Sequence, residues 1–213
     1  MLPIADAFEH EYQGCEIRYG RGRAAELGGV LRERGFGDAL VVCGSHVGAN
    51  DDLLDPIRAG LDDRLAGVFD GTTPDKRIEE AFALLDRRAA VGADCLAAVG
   101  GGSSLDVARQ ATLLDVDGRA LDDIRADAEA GPDALGELAP GVDPAIPLVV
   151  IPTTFAGADV STGGSLEVLA ADASPTGQPM TASGAGAMPA VDLADPALFE
   201  TTPRSALAGS AMN

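Results

Sequence analysis

Leu96-Ala97-Ala98-Val99-Gly100-Gly101-Gly102-Ser103-Ser104-Leu105-Asp106 is the stretch that decides the fold. A short apolar run gives way to three glycines and then to a helical pattern from Ser104 to about Leu114. A continuous apolar run of this length reads as a strand buried on both faces. Glycines at its end let the backbone approach an anion, and the following helix N-terminus offers unpaired N–H groups with partial positive charge. That combination is a cradle for a diphosphate. The same residues admit a reading without ligand, because Ser103 and Asp106 fit the S-x-x-D pattern of a capped helix start. The usual G-x-G-x-x-G fingerprint is not met, since Leu105 takes the third glycine position and the turn follows the fourth strand instead of the first.

Working outward, the same alternation of apolar runs and amphipathic stretches repeats. Upstream, residues 16–19 read as an edge strand, 39–43 as a strand buried on both faces and 65–69 as a third strand, with Asp70 to Pro74 a turn. Helices are predicted over 23–34, ended by Gly35, through Leu53, Leu54 and Ile57, and over 77–88 with Ile78, Ala81, Phe82 and Leu85 on the inner face. Downstream, 115–144 reads as an acidic loop holding one short helix, and 146–151 as a buried strand ending at Pro152-Thr153-Thr154. Residues 165–171 and 187–193 read as a hairpin, and a helical turn after Asp195-Pro196 leads into a last helix. The pattern predicts an α/β fold: an open, mostly parallel sheet with flanking helices, Rossmann-like, plus a β-hairpin.

A second segment, Pro152-Thr153-Thr154-Phe155-Ala156-Gly157, also follows an apolar strand. Two hydroxyls and a glycine there can line the crevice at the strands' carboxyl ends, where open α/β sheets collect ligands, though threonines after a strand also make ordinary turns.

Together these segments carry a resemblance. Gly100-Gly101-Gly102-Ser103-Ser104-Leu105-Asp106-Val107-Ala108-Arg109 resembles the G-G-G-S-x-x-D-x-A-K signature of the iron-containing alcohol dehydrogenase family, in the dehydroquinate synthase-like superfamily, with Arg109 in place of the lysine. Pro152-Thr153-Thr154 is similar to that family's P-T-T loop, Phe69-Asp70-Gly71 before Pro74 to its F-D-G-x-x-P, and Asp195-Pro196-Ala197-Leu198 before Pro203 to its D-P-x-L…P. The resemblance implies an NAD(P)-dependent oxidoreductase that passes hydride between nicotinamide and an alcohol or aldehyde, with this chain as the cofactor-binding half. It implies that Gly100, Gly101, Gly102 and Ser103 hold the pyrophosphate, and that Thr153, Thr154, Phe155, Gly157 and Ser161 line the cleft. Many family members place an Asp after the second strand to take the ribose hydroxyls. This chain has Gly44-Ser45, which leaves NAD and NADP both open. The second loop is one residue shorter than in the alcohol dehydrogenases and resembles that of the maleylacetate reductases, so a dicarboxylate substrate is the alternative.

Ala208-Gly209-Ser210-Ala211-Met212-Asn213 is similar to the family's A-x-T-G-M-D and puts Asn213 where the first metal-binding Asp stands. On this reading residues 1–203 are the NAD(P)-binding domain and 204–213 the start of a helical metal-binding domain that the chain lacks. Fe²⁺ or Zn²⁺ is then expected only with that domain, the catalytic residues are unassigned, and a non-catalytic nucleotide-binding remnant is a further alternative. Family members commonly form at least dimers, so a homodimer is expected.

Composition narrows the partners. The net charge is −19, from 34 acidic against 15 basic residues, and Lys76 is the only lysine. Such a surface repels nucleic acid and anionic membranes, and the small-molecule partner, an alcohol, aldehyde or dicarboxylate, is what the resemblance implies. Acidic residues spread along the chain, with Arg replacing Lys, are the bias expected of a halophilic protein from a high-salt cytoplasm. Cys15, Cys43 and Cys95 offer neither a metal-binding spacing nor an even disulfide set, and read as buried thiols of a reducing compartment. His10 and His46 read as surface or loop residues, not metal ligands. The N-terminus lacks a basic flank and apolar core, and no apolar run approaches the ~18 residues of a membrane span, so a soluble cytoplasmic protein is expected.

Overall fold

The computed structural model describes residues 6–212, so the reading of Asn213 lies outside the described residues. In chain order the strands are β1 (Ala7–Tyr12), β2 (Cys15–Gly20), β3 (Ala39–Gly44), β4 (Leu65–Thr72), β5 (Cys95–Gly100), β6 (Leu148–Pro152), β7 (Gly164–Leu169), β8 (Met180–Gly184) and β9 (Val191–Ala194). The helices are α1 (Leu27–Arg34), α2 (Ser45–Gly48), α3 (Asp51–Leu61), α4 (Ile78–Val91), α5 (Gly102–Asp117), α6 (Leu121–Ala130), α7 (Pro132–Leu135), α8 (Pro196–Phe199) and α9 (Arg204–Ser210).

Seven strands form one sheet in the order β1-β2-β9-β6-β5-β3-β4, parallel throughout except for β1. Successive side chains of a strand point to opposite faces, and β3, β5 and β6 bury both. Leu40, Val42, Leu96, Ala98 and Val150 pack with α4, α5, α6 and the β7–β8 hairpin. Val41, Cys43, Ala97, Val99 and Ile151 pack with α1 and α3 on the other side. This is why those strands read as unbroken apolar runs. Gly35 ends α1 in the left-handed conformation at φ +69°, as its position in the sequence required.

Several expectations are corrected. Residues 16–19 lie in β2, which is internal; the edge is β1, whose hairpin with β2 turns at Gln13 and Gly14, both at positive φ. The segment 187–193 does not complete the hairpin. β7 pairs with β8, while β9 enters the main sheet between β2 and β6. Helix 23–34 opens as a 3₁₀ turn, Arg23–Glu26. On α4 the fully buried face is Ile78, Ala81 and Leu84, with Phe82 and Leu85 only partly covered. β4 runs on to Thr72, through the residues read as a turn. The acidic stretch holds α6, as expected, and the extra turn α7.

Candidate functional site

From β3 the chain crosses to β4 on one side, and from β4 it returns to β5 on the other, so strand order reverses between β3 and β5. In open α/β sheets the crevice at the carboxyl ends of such a pair is where ligands collect. Gly44 ends β3 and Gly100 ends β5, and a cavity of about 320 Å³ opens between them, lined by Ser45, His46, Thr73, Gly101 and Ser103. Gly100 has φ +138°, a conformation open to glycine and rarely to other residues. It bends the chain so that Gly101 can act as N-cap of α5. Gly101 makes no side-chain cap, and among the described residues Asp106 does not cap either. Its carboxylate instead binds Lys76 Nζ at 3.0 Å and Arg109 at 3.0 Å. The capping reading of Ser103 and Asp106 is therefore corrected: Lys76 and, one turn along the same helix, Arg109 claim the carboxylate, and the first turn of α5 keeps its N–H groups without a side-chain acceptor. Ser104, buried behind it, is hydrogen-bonded to Thr72 at 2.7 Å.

The Pro-Thr-Thr segment lies alongside. Thr153 N–H donates to the Gly100 carbonyl at 2.9 Å, and an added β-carbon on Gly101 would come 3.3 Å from Thr154 Cγ2. The glycine turn and the threonine pair thus share one ridge. Thr153 is buried beneath it and its carbonyl accepts from Thr202 Oγ1 at 2.9 Å. Beyond Thr154 a larger cavity, about 530 Å³, is lined by Phe155 and Gly157 together with Tyr19, Asp159 and Phe199. Phe155 is 57% exposed and stacks on Phe199 with ring centroids 4.9 Å apart. Ser161 is not brought to either cavity; its hydroxyl bonds the backbone of Gly163. Tyr19, Asp159 and Phe199 come from elements remote in sequence, and only the β2–β9 pairing and the turn after Thr154 assemble them. No local pattern marks them.

Two buried ionisable groups support this end of the sheet. Arg109 is fully buried and donates to the carbonyls of Ala187, Gly163 and Ala158 as well as to Asp106, clamping the loop that follows the threonines. Burial lowers its pKa, against the pull of Asp106. Asp192, in the middle of β9, is 1% exposed and its Oδ1 has no hydrogen-bond partner. Burial, with the negative charge of Asp159 added, pushes its pKa up to about 7. The three thiols are buried and unpaired, as expected, and burial raises Cys15 and Cys95 to about 12 and Cys43 to about 11. Among the described residues no group of three or more His, Cys, Asp or Glu side chains could hold a metal ion, and no helix is long and apolar enough to cross a membrane.

An open, mostly parallel α/β domain, with a glycine turn opening a helix at the point where strand order reverses, is of the Rossmann-like class. The model of the family described as iron-containing alcohol dehydrogenase matches residues 15–196, so the chain belongs to that family. Solved structures agree on the fold. Alcohol dehydrogenase from Oenococcus oeni is similar with a TM-score of 0.75 at 19% identity, over 98% of this chain and 50% of that one. Sulfoacetaldehyde reductase from Bifidobacterium kashiwanohense, solved in complex with NAD⁺, gives 0.74 at 23%, over 96% and 50%. Maleylacetate reductase from Agrobacterium tumefaciens gives 0.64 at 21%, over 100% and 49%. The chain thus spans about half the length of these proteins. Comparison with curated proteins finds no match.

Proposed function

We propose that this chain is the coenzyme-binding half of an NAD(P)-dependent oxidoreductase that passes hydride between nicotinamide and an alcohol or aldehyde. The observation that carries the reading is the ridge at the switch point, where the glycine turn lies so close to Thr154 that a β-carbon on Gly101 would meet its side chain, and the first turn of α5 is left without a side-chain cap. Backbone N–H groups of Gly101, Gly102 and Ser103 would hold the diphosphate, with Gly100 setting the bend that aims them. One arm of the dinucleotide would enter the smaller cavity, and the other would pass Thr154 into the larger one beside Phe155 and Gly157. Thr153 would act from below, by fixing the turn.

The smaller cavity is lined by hydroxyls, an imidazole and glycines, and by no carboxylate, so a 2′-phosphate meets no like charge on its walls. Both NAD and NADP fit that lining. Residues 1–203 would form the coenzyme domain and 204–213 lead into a second, helical one. The described residues do not supply a metal site. A maleylacetate-type dicarboxylate substrate remains the second reading, favoured by the short Pro-Thr-Thr loop. Fluorescence titration with NADH and NADPH tests the proposal. Saturable binding supports it, and absence of binding by both coenzymes overturns it.

A further inference from the structure

The larger cavity carries a charge pattern that coenzyme binding alone does not require. Its walls are aromatic, with Tyr19 from β2 and the Phe155–Phe199 stack. Its cation, Arg21, is already held in an ion pair by Glu200, which lines the same cavity. Asp159 also lines it and enters no ion pair among the described residues. Arg109 is near enough to feel the charge of Asp159, but its guanidinium is hydrogen-bonded to Asp106 and to three backbone carbonyls. Beneath the floor, Asp192 lies on the same face of β9 as the lining residue Ala194. Aromatic faces, an unpaired carboxylate and a neutralised arginine together attract a flat organic cation through ring quadrupoles and Coulomb energy, and repel a carboxylate.

We propose that this cavity is a subsite for a flat organic cation, that Asp159 is its charge-selecting residue, and that within the coenzyme it selects the oxidised nicotinamide over the reduced ring. The inference rests on the coenzyme reading above. The two ring states share their van der Waals contacts and differ by one positive charge, so a carboxylate beside the ring discriminates between them without any change of shape. The same carboxylate makes this cavity a poor receiver for a dicarboxylate.

The test compares wild-type protein with Asp159→Asn. Each is titrated with NAD⁺ and NADH, and separately with 1-methylnicotinamide, a cation, and nicotinamide, its neutral analogue. Asp159→Asn should weaken NAD⁺ about tenfold and leave NADH within about twofold, given the energy of a unit charge pair near a protein surface. A tenfold change in that ratio displaces the bound couple's potential by ~30 mV. Wild type should bind 1-methylnicotinamide more tightly than nicotinamide, and the variant should lose that preference. Phe155→Leu, at a ring exposed enough to spare the fold, should also shrink the cation's advantage. Equal weakening of both coenzyme forms, or none, overturns charge selection while the coenzyme reading stands. Failure of wild type to bind either coenzyme overturns both.

Discussion

At Gly101, φ is −83° and ψ 179°, an extended conformation that any residue adopts, so a side chain there costs little backbone strain. Its β-carbon would press on Thr154, 3.3 Å from Cγ2 and 3.4 Å from Oγ1, in the space above the first turn of α5. Gly101→Val should therefore abolish NADH binding in a fluorescence titration while lowering stability by only about 1 kcal/mol; unchanged affinity would place the nucleotide elsewhere. Asp192 makes the opposite kind of prediction, about stability and pH. Unfolded, its carboxyl ionises near the ordinary value of 3.8, whereas folded it keeps its proton to about 7. Between those pH values the folded chain binds the extra proton, so stability falls as pH rises through the window, and the full penalty stands above pH 7. Asp192→Asn removes the charge without changing shape. Denaturant melts should find the variant close to wild type near pH 4 and more stable at pH 8, by a few kcal/mol at most; an equal difference at both pH values would mean that Asp192 ionises in the folded chain just as it does in the unfolded one.

Among the elements, α5 and the loop after β6 are coupled by one side chain. Arg109 spans Asp106 and three carbonyls from 158 to 187, a reach that the planar fork of a guanidinium allows and a lysine ammonium does not. Arg109→Lys should cost about 1–3 kcal/mol by leaving buried carbonyls unpaired. It should also speed amide hydrogen exchange at residues 158–163 more than in β3, whereas a uniform increase would mean general loosening. Legibility follows the same elements. β3, β5 and β6 were plain in the sequence because both faces of each meet core, and the glycine turn was plain because its position after β5 fixes its geometry. β1 escaped notice because every residue in it is exposed, so no apolar period marks it. β9 does not read as a strand of the main sheet because it is four residues long with a buried carboxylate in its middle, and its partners β2 and β6 are both far away in sequence. The glycine and threonine motifs of the site were legible. Tyr19, Asp159 and Phe199 were not, since tertiary pairing alone brings them to one cavity.

At the scale of the whole molecule, the charge of −19 sets two electrostatic contributions against each other. Surface ion pairs such as Arg58 with Asp51 and Asp55 stabilise the fold and weaken as salt rises. Repulsion among the remaining carboxylates destabilises it and is screened by the same salt. With 34 acidic and 15 basic residues, more than half the carboxylates have no cation available, and the one lysine is already bound to Asp106. Repulsion is therefore the larger effect. Because the Debye length falls from about 10 Å at 0.1 M to about 3 Å at 1 M, most of the screening is complete by 1 M. The melting temperature should climb steeply with KCl over that interval and more slowly above it. Sucrose, which favours compact states without screening, should produce no such early rise. A melting temperature that stays level or falls between 0.1 and 1 M KCl would mean that the arginine pairs outweigh the repulsion, and that the acidic surface is not an adaptation to salt.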